Sequence, residues 1–219
     1  SGISNNEVHW ISGTGSSNDG SSGDALLTAS GLAYGISVDP DDNVYFADNT
    51  WGRIRVVCLE NTGLNFCYSK TTEFVYRMAG SGTRPSAGNL YSKVGIYGAV
   101  NDMRSLVLDS LGNLYWSDYE NNSVFALCYK NAGTGYQGFC NGKTVNTVHR
   151  VLGDGTNSEP GVSVSYPGSG SLPALGEPRS LALDSFDNLY IGATATPSGT
   201  ANPRVWVICF KTGGICAAG

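Results

Sequence analysis

Six cysteines are the residues of this chain whose spacing most directly specifies chemistry. They fall into three close pairs, and the chain has no C-x-x-C motif and only two histidines, His9 and His149. This set is poor for zinc, which needs four clustered ligands. Pairing within each close pair is the one scheme that repeats the same local bond along the chain. The sequence therefore predicts the disulfides Cys58–Cys67, Cys128–Cys140 and Cys209–Cys216. Disulfides place the chain in an oxidising compartment, secreted or at the cell surface.

Acidic residues at alternate positions form a second group with chemical potential. Asp39, Asp41 and Asn43 present oxygen ligands as a calcium loop does. However, Val44 replaces the glycine of an EF-type loop, and Thr50 stands where a bidentate glutamate is needed. Asp and Asn side chains that bond their own backbone in a turn explain the pattern better. We therefore expect no cofactor, with calcium at these three residues as the metal alternative.

The composition excludes several classes of protein. Charged residues are only 14% of the chain, the net charge is −5, and 12 Tyr, 7 Phe and 4 Trp are available for burial. This composition argues against intrinsic disorder. The 13 Lys and Arg form no basic cluster, so nucleic acid is not an expected partner. No apolar run reaches the length of a membrane-spanning helix.

Three features recur three times in the same order. The turn and strand Asp39–Asp48 return as Asp109–Asp118 and as Asp184–Ala193. A strand that ends in Gly-x-Gly occurs at Val8–Gly15, Val75–Gly82 and Val148–Gly155. The cysteine pairs keep the same rhythm. Recurrence of this kind predicts a repeat architecture, with units at about 16–82, 83–155 and 156–219.

Each unit has the alternation of short strands and no helical stretch. An apolar strand leads to the Asp turn, an aromatic strand follows, a third strand runs into the first cysteine, and a fourth ends at Gly-x-Gly. Four antiparallel strands per unit are typical of a β-propeller blade. The predicted fold is therefore all-β, a β-propeller segment of three four-stranded blades that forms a half-ring or an open assembly.

These motifs resemble NHL repeats. The likeness lies in Asp-x-x-x-Asn-hydrophobic-Tyr, in the Ala/Ser-Asp that follows, and in the Arg-x-x-Gly-x-Gly exit at Arg77–Gly82 and Arg150–Gly155. The resemblance implies a propeller, but NHL propellers include enzymes, adhesion proteins and sensors. Enzymes similar to this family, the amidating lyases and lactonase-like hydrolases, gather His and carboxylates around a central metal. With only His9 and His149 available, we expect no enzyme activity.

The two ends of the repeat are out of phase. Residues 8–15 form a fourth strand before any complete unit, and the last unit has no fourth strand of its own. Propellers have four to eight blades, so three do not readily close. We therefore expect Val8, His9, Trp10 and Ile11 to complete the open blade of the same or a neighbouring chain. Such head-to-tail pairing gives a homo-oligomer, either a dimeric ring or a filament.

The functional prediction is a non-catalytic extracellular structural or interaction module that self-associates by strand complementation. The first alternative is a carbohydrate- or protein-binding part of a larger adhesion or sensor protein. Aromatics in turns and loops would then form the binding surface: Trp51, Tyr119, Tyr91, Tyr97 and Tyr166. The second alternative is a metal-dependent hydrolase or lyase on a completed six-bladed ring.

One N-glycosylation sequon is present, Asn121-Asn122-Ser123. It lies on the predicted tight turn between the second and third strands of the middle blade. A turn is usually exposed, so the sequence predicts a glycan on Asn121.

Overall fold

The computed structural model describes residues 6–16, 22–63, 65–83, 100–131, 138–158, 173–195 and 201–216. These residues contain strands and no helix, so none of them forms a helix that could cross a membrane. The strands are β1 (Gly23–Asp24), β2 (Ala33–Val38), β3 (Val44–Asp48), β4 (Arg53–Cys58), β5 (Phe74–Ala79), β6 (Met103–Leu108), β7 (Leu114–Asp118), β8 (Ser123–Cys128), β9 (Thr147–Leu152), β10 (Pro178–Leu183), β11 (Leu189–Ala195) and β12 (Asn202–Ile208).

The strands form three antiparallel sheets that follow one another along the chain. Sheet I has the order β1-β5-β4-β3-β2, sheet II the order β6-β7-β8-β9, and sheet III the order β10-β11-β12. The predicted all-β architecture with three antiparallel units is confirmed.

The prediction of four strands in every blade is wrong for two of the sheets. Sheet I has five strands because β1 adds to the outer edge of β5, with Gly23 opposite Val75. Sheet III has three strands because no described strand pairs with the outer edge of β12. Only sheet II has four.

The repeated Asp and Asn residues determine the turn between the first two strands of each sheet. In sheet I, Asp39 Oδ1 accepts the backbone N–H of Asp41 at 3.0 Å and of Asn43 at 2.9 Å. Asn43 Oδ1 in turn accepts the Leu59 N–H at 2.8 Å, which ties the turn to the end of β4. Asp109 with Asn113 and Asp184 with Asn188 repeat the arrangement. These residues therefore act as the turn residues that the pattern favoured.

Sheet II lies between sheets I and III. β6 packs against β2 on one side and β10 packs against β6, so the first strands of the three sheets are neighbours. Ile54, Leu106 and Trp116 are buried between sheets I and II. Tyr115 and Leu181 are buried between sheets II and III. Consecutive up-and-down sheets with adjacent inner strands are the arrangement of propeller blades.

Three disulfides join the cysteine pairs named from the repeat: Cys58–Cys67, Cys128–Cys140 and Cys209–Cys216, with Cα–Cα separations of 5.5, 5.3 and 5.6 Å. Each joins the end of a third strand to the loop that follows it. Their sequence separations are 9, 12 and 7 residues, so every bond is local. Three disulfides are typical of secreted or extracellular proteins.

Replacing both Cys58 and Cys67 with serine is expected to lower the free energy of unfolding by about 2 to 3 kcal/mol, because the bond limits the entropy of the unfolded chain. Urea unfolding of the variant and of the oxidised parent measures this difference. Reduction of the parent with dithiothreitol is the control and acts on all three bonds, so its effect should be larger. A cost below about 0.5 kcal/mol would contradict the chain-entropy explanation.

Candidate assembly interface

The first element of the interface is the outer edge of β12. In sheets I and II the third strand pairs on its outer side with a fourth, as in Val56 opposite Tyr76 and Ala126 opposite His149. β12 is the third strand of sheet III, and among the described residues it pairs only with β11. Val205 on this strand is 78% exposed. An exposed strand edge offers its backbone groups to another chain.

The second element is the segment of residues 8–15, which we call the N-terminal segment. Within the described residues it forms no strand, so the prediction of a strand there is wrong for the single chain. The reason is the lack of an edge: β1 occupies the outer edge of β5, and β12 belongs to the sheet at the other end of the stack. Val8 is 99% and Trp10 78% exposed.

Two contacts hold the N-terminal segment to its own sheet. Ile11 is partly buried against the cluster that contains Val44 and Phe46. The Gly13 N–H donates to the Ala25 carbonyl at 2.9 Å. The residues before Ile11 project from this anchor, so they are available to another chain.

The N-terminal segment already has the exit turn of a fourth strand. Gly13 and Gly15 have φ of 99° and 75°, compared with 92° and 90° in Gly80 and Gly82, which follow β5. At Gly80 a side chain is also excluded, because a Cβ would overlap the Gly52 carbonyl in the turn before β4. At Gly13 the nearest atom to such a Cβ is Ser30 Oγ at 4.0 Å. The close backbone neighbour that Gly80 has is therefore absent at Gly13.

The outward face of sheet I is the third element, and we call it the sheet I end face. Ile36 on β2 occupies the repeat position of Leu106 on β6 and Leu181 on β10. Leu106 is 2% and Leu181 9% exposed because each faces the preceding sheet, whereas Ile36 is 65% exposed. Val38, two residues along β2, is exposed too. Tyr34 is also exposed, but its ring lies 5.1 Å from the guanidinium carbon of Arg104 in sheet II. In the described residues, the β2 part of this face therefore exposes side chains of an interior type, whereas Phe46 and Val44 beside it are buried in the cluster with Ala25 and Ile11.

The outward face of sheet III, the sheet III end face, is the fourth element. Val205 stands at the repeat position of Ile54 and Val124, both of which are fully buried by the next sheet. Val207 is likewise exposed where Val56 and Ala126 are buried. The stack therefore has two apolar ends. Repeat alignment combined with the predicted blade order is the signal in the sequence that could have located them.

Inside the stack, the aspartates that end the second strands of sheets I and II have different partners, and sheet III has Ala193 at this position. In sheet I, Asp48 Oδ2 lies 3.1 Å from Arg55 Nε, with both side chains buried. In sheet II, Phe125 stands opposite Trp116 where Arg55 would be, and Asp118 accepts backbone N–H groups of Asn101 and Asn121. Burial raises the pKa of Asp118 to about 6. These carboxylates are bonded within the stack, which is a structural role.

The sequon asparagine lies on the expected turn but is not exposed. Asn121 is 2% exposed, and its backbone N–H donates to Asp118 Oδ1 at 3.1 Å. The glycan prediction assumed that Asn121 is exposed, and this assumption is wrong. The turn folds back onto the buried Asp118 carboxylate and buries the asparagine with it.

Two of the aromatic binding candidates lie in the described residues, each in the turn that follows the second strand of its sheet. Trp51, in sheet I, is half-buried, and its backbone N–H donates to Asp48 Oδ1. Tyr119 is half-buried in sheet II, with the guanidinium carbons of Arg104 and Arg179 at 4.9 and 4.8 Å from its ring centroid. The remaining candidates lie outside the described residues: Tyr91, Tyr97 and Tyr166.

The two histidines lie apart in the fold. His9, in the N-terminal segment, bonds Glu7 at 2.9 Å. His149, in β9, packs edge-on against Phe139, and its burial lowers its pKa. In the part of the chain that the structure describes, no group of three or more His, Cys, Asp or Glu residues is placed to hold a metal ion.

The fold and these surfaces define a class: a segment of a β-propeller that, in the residues the structure describes, has an unpaired strand edge at β12 and exposed apolar side chains at both ends of the stack. No family model and no curated protein matches the chain. Solved structures with a similar fold include a gluconolactonase from Xanthomonas campestris, with a TM-score of 0.46 and 9% identity over 82% of this chain and 44% of that one. They also include a luciferin-regenerating enzyme (0.41, 12%, 82% and 45%) and a Bacteroides thetaiotaomicron protein of unknown function (0.41, 13%, 75% and 31%). The chain spans less than half the length of each.

Proposed function

We propose that this chain is a non-catalytic extracellular structural module that associates head to tail, with the N-terminal segment of one copy added to β12 of the next. The observation that carries the proposal is that one strand edge is unpaired while a segment with the matching strand pattern forms no strand. β12 is the third strand that has no fourth strand beside it in the described residues. The residues with the fourth-strand pattern lie exposed elsewhere in the same chain.

The repeat supplies the register of the added strand. In sheet I, Val57 lies opposite Val75, Val56 opposite Tyr76 and Ile54 opposite Ala79. The same register places Val8 opposite Ile208, His9 opposite Val207 and Ser12 opposite Val205. The backbone of the added strand then meets the exposed edge of β12, as in β-strand addition between proteins.

Donor and acceptor are different surfaces, so the contact is heterologous. Each copy carries one of each, and a chain of copies closes into a ring or continues as a filament according to the rotation between neighbours. Both products come from the same contact. Native mass separates them, since a ring gives one defined multiple of 23.0 kDa and a filament gives a series.

Gly13→Ala is expected to weaken self-association at least tenfold in light scattering coupled to size exclusion. Within its own copy the new Cβ has space, but against β12 it would meet the backbone at Pro203 and Arg204, as Gly80 shows for Gly52 and Arg53. Gly15→Ala is the matched control, because it carries similar left-handed strain and its counterpart Gly82 faces only the flexible end of the Arg53 side chain, whereas Gly80 faces backbone. A parent protein that is monomeric at high micromolar concentration contradicts the proposal.

Metal analysis of the same preparations tests the non-catalytic part of the proposal. A hydrolase or lyase built on a completed ring needs a bound metal in the family that the repeats resemble. We expect no stoichiometric metal after purification without chelators. A stoichiometric metal that survives dialysis contradicts the non-catalytic role and favours the enzyme.

A further inference from the structure

We infer that the partner that covers both end faces is a second copy of this chain, selected by a contact between Ser185 of one copy and Asp42 of the next. The inference rests on the proposed head-to-tail association and names the residues that make it specific. Its polar contacts use the turns and first strands of the sheets, which differ from the backbone edge of β12 to which the N-terminal segment is added, while the apolar side chains of β12 contribute to the same junction.

A contact of the same kind is seen within one copy, between sheets II and III. Asp187, in the turn between β10 and β11, is 4% exposed. Its carboxylate accepts the Ser110 N–H at 2.9 Å and the Ser110 hydroxyl at 2.6 Å, across the junction from the corresponding turn of sheet II. Lys211 Nζ, in the same sheet as Asp187, donates to it at 2.8 Å. A serine in one turn and an aspartate in the next therefore link two sheets.

The three turns that begin with Asp39, Asp109 and Asp184 vary together at two positions, the second residue, which is the donor in this contact, and the fourth residue, which is the acceptor. The donor position holds Pro40, Ser110 and Ser185, and the acceptor position holds Asp42, Gly112 and Asp187. At the junction of sheets I and II, Pro40 has no N–H or hydroxyl to donate, and Gly112 has no carboxylate to accept. The donor and acceptor that remain, Ser185 on sheet III and Asp42 on sheet I, are both exposed. They are the pair that a junction between sheet III and the sheet I of a second copy would join.

A second position repeats this logic on the first strands. Ser105 Oγ accepts the Leu181 N–H at 3.0 Å between sheets II and III. At the junction of sheets I and II the equivalent residue is Gly35, and a Cβ there would lie 2.8 Å from the Leu106 nitrogen, so no side chain fits. Sheet III has Ser180 at this position, and it is exposed. In the proposed junction Ser180 Oγ accepts the Ile36 N–H of the next copy.

The apolar surfaces agree with these polar pairs. Leu181 is buried against sheet II in the cluster that contains Tyr115 and Val124. In the proposed junction Ile36 takes the place of Leu181, and the exposed Val205 takes the place of Val124. The junction between copies therefore repeats the internal junction of sheets II and III in three respects. An unrelated partner would not be expected to match the two polar pairs and the apolar contacts together.

One difference sets how much the Asp42 pair contributes. Glu60 stands where sheet III has Lys211, so Asp42 has no ammonium group at that position. The contact with Ser185 therefore acts mainly in selecting the partner and its register, while the apolar faces and the added strand supply most of the affinity.

The dissociation constant of self-association, measured by sedimentation velocity over a concentration series, tests this inference. Asp42→Ala is expected to raise it about tenfold, because it removes the acceptor of a charge-assisted hydrogen bond. Ser185→Ala removes the hydroxyl donor but keeps the backbone N–H, which is the second donor in the Ser110 pair, so its effect should be smaller. The double variant should be no weaker than Asp42→Ala, since the hydroxyl then has no carboxylate to bind. Ser110→Ala is the matched control for Ser185→Ala: it removes the hydroxyl bond to Asp187 inside one copy, so it should lower the urea midpoint and leave the dissociation constant unchanged.

The possible failures are distinct. If the parent associates and Gly13→Ala abolishes association, but Asp42→Ala and Ser185→Ala have no effect or add independently, the end-face inference is wrong and the strand addition stands. If the parent is monomeric throughout, the proposed function itself fails. Unfolding curves of each variant confirm that a change in association does not come from loss of the fold.

Discussion

Arg55→Met is expected to lower the free energy of unfolding by about 3 to 5 kcal/mol. Arg55 and Asp48 are both fully buried, with 3.1 Å between Nε and Oδ2, and Arg55 Nη1 also donates to the Ala29 carbonyl at 2.9 Å. Methionine fills much of the arginine volume but leaves the Asp48 carboxylate without a cation in the interior. An unpaired buried charge is the costly product, more than the loss of the bond itself.

Urea unfolding compares the variant with Arg179→Met, which removes an arginine from a pair with Glu177 at 3.1 Å. The Arg179 side chain is 54% exposed, so its removal should cost less than about 1 kcal/mol. Adding Asp48→Asn to Arg55→Met should recover part of the loss, because it removes the stranded charge. A cost for Arg55→Met no larger than for Arg179→Met would contradict the explanation.

Stability is expected to fall between pH 4 and pH 7 because of Asp118, and Asp118→Asn should remove this contribution. Burial raises the pKa of Asp118 in the folded protein from 3.8 to about 6, so the folded state holds the proton more tightly than the unfolded state. The stabilising contribution is therefore complete below about pH 4 and is lost as the pH rises through 6. Two pKa units correspond to about 3 kcal/mol.

Unfolding free energies at pH 4, 5, 6 and 7 measure the effect. Asparagine stays neutral, so the variant should gain up to about 3 kcal/mol relative to the parent across this range. Glu60→Gln, which neutralises an exposed carboxylate, controls for the change in net charge. A constant difference between parent and Asp118→Asn at all four pH values would contradict the assignment.

Local repetition made much of the fold predictable. The Asp-turn, the strand that follows it and the cysteine hairpin are short-range features, and their recurrence identified the three antiparallel units and the pairing of the cysteines. The alternation of residues worked less well in the third strands. All six residues of β4 are buried, so Arg55, which alternation would place outward, lies inside and pairs with Asp48.

Features that depend on the rest of the fold were not predictable from the sequence. Gly23 and Asp24 have no strand pattern, yet they extend sheet I because the edge of β5 is available to them. Asn121 lies in a polar turn sequence, which is typical of exposure, but the turn closes over Asp118. The N-terminal segment has a fourth-strand pattern, but it forms no strand in the described residues, since a strand needs a partner edge and β1 already pairs with the edge of β5.

The local disulfides also determine how the chain can mature. Both cysteines of each pair lie within one hairpin, at most 12 residues apart, whereas incorrect pairs would close much longer loops. Short loops close at lower entropic cost, so the correct bonds are favoured even before the sheets pack. Each hairpin can therefore oxidise as soon as it enters the oxidising compartment, one after another from the amino terminus, without waiting for the remainder of the polypeptide or for an isomerase to reshuffle distant bonds.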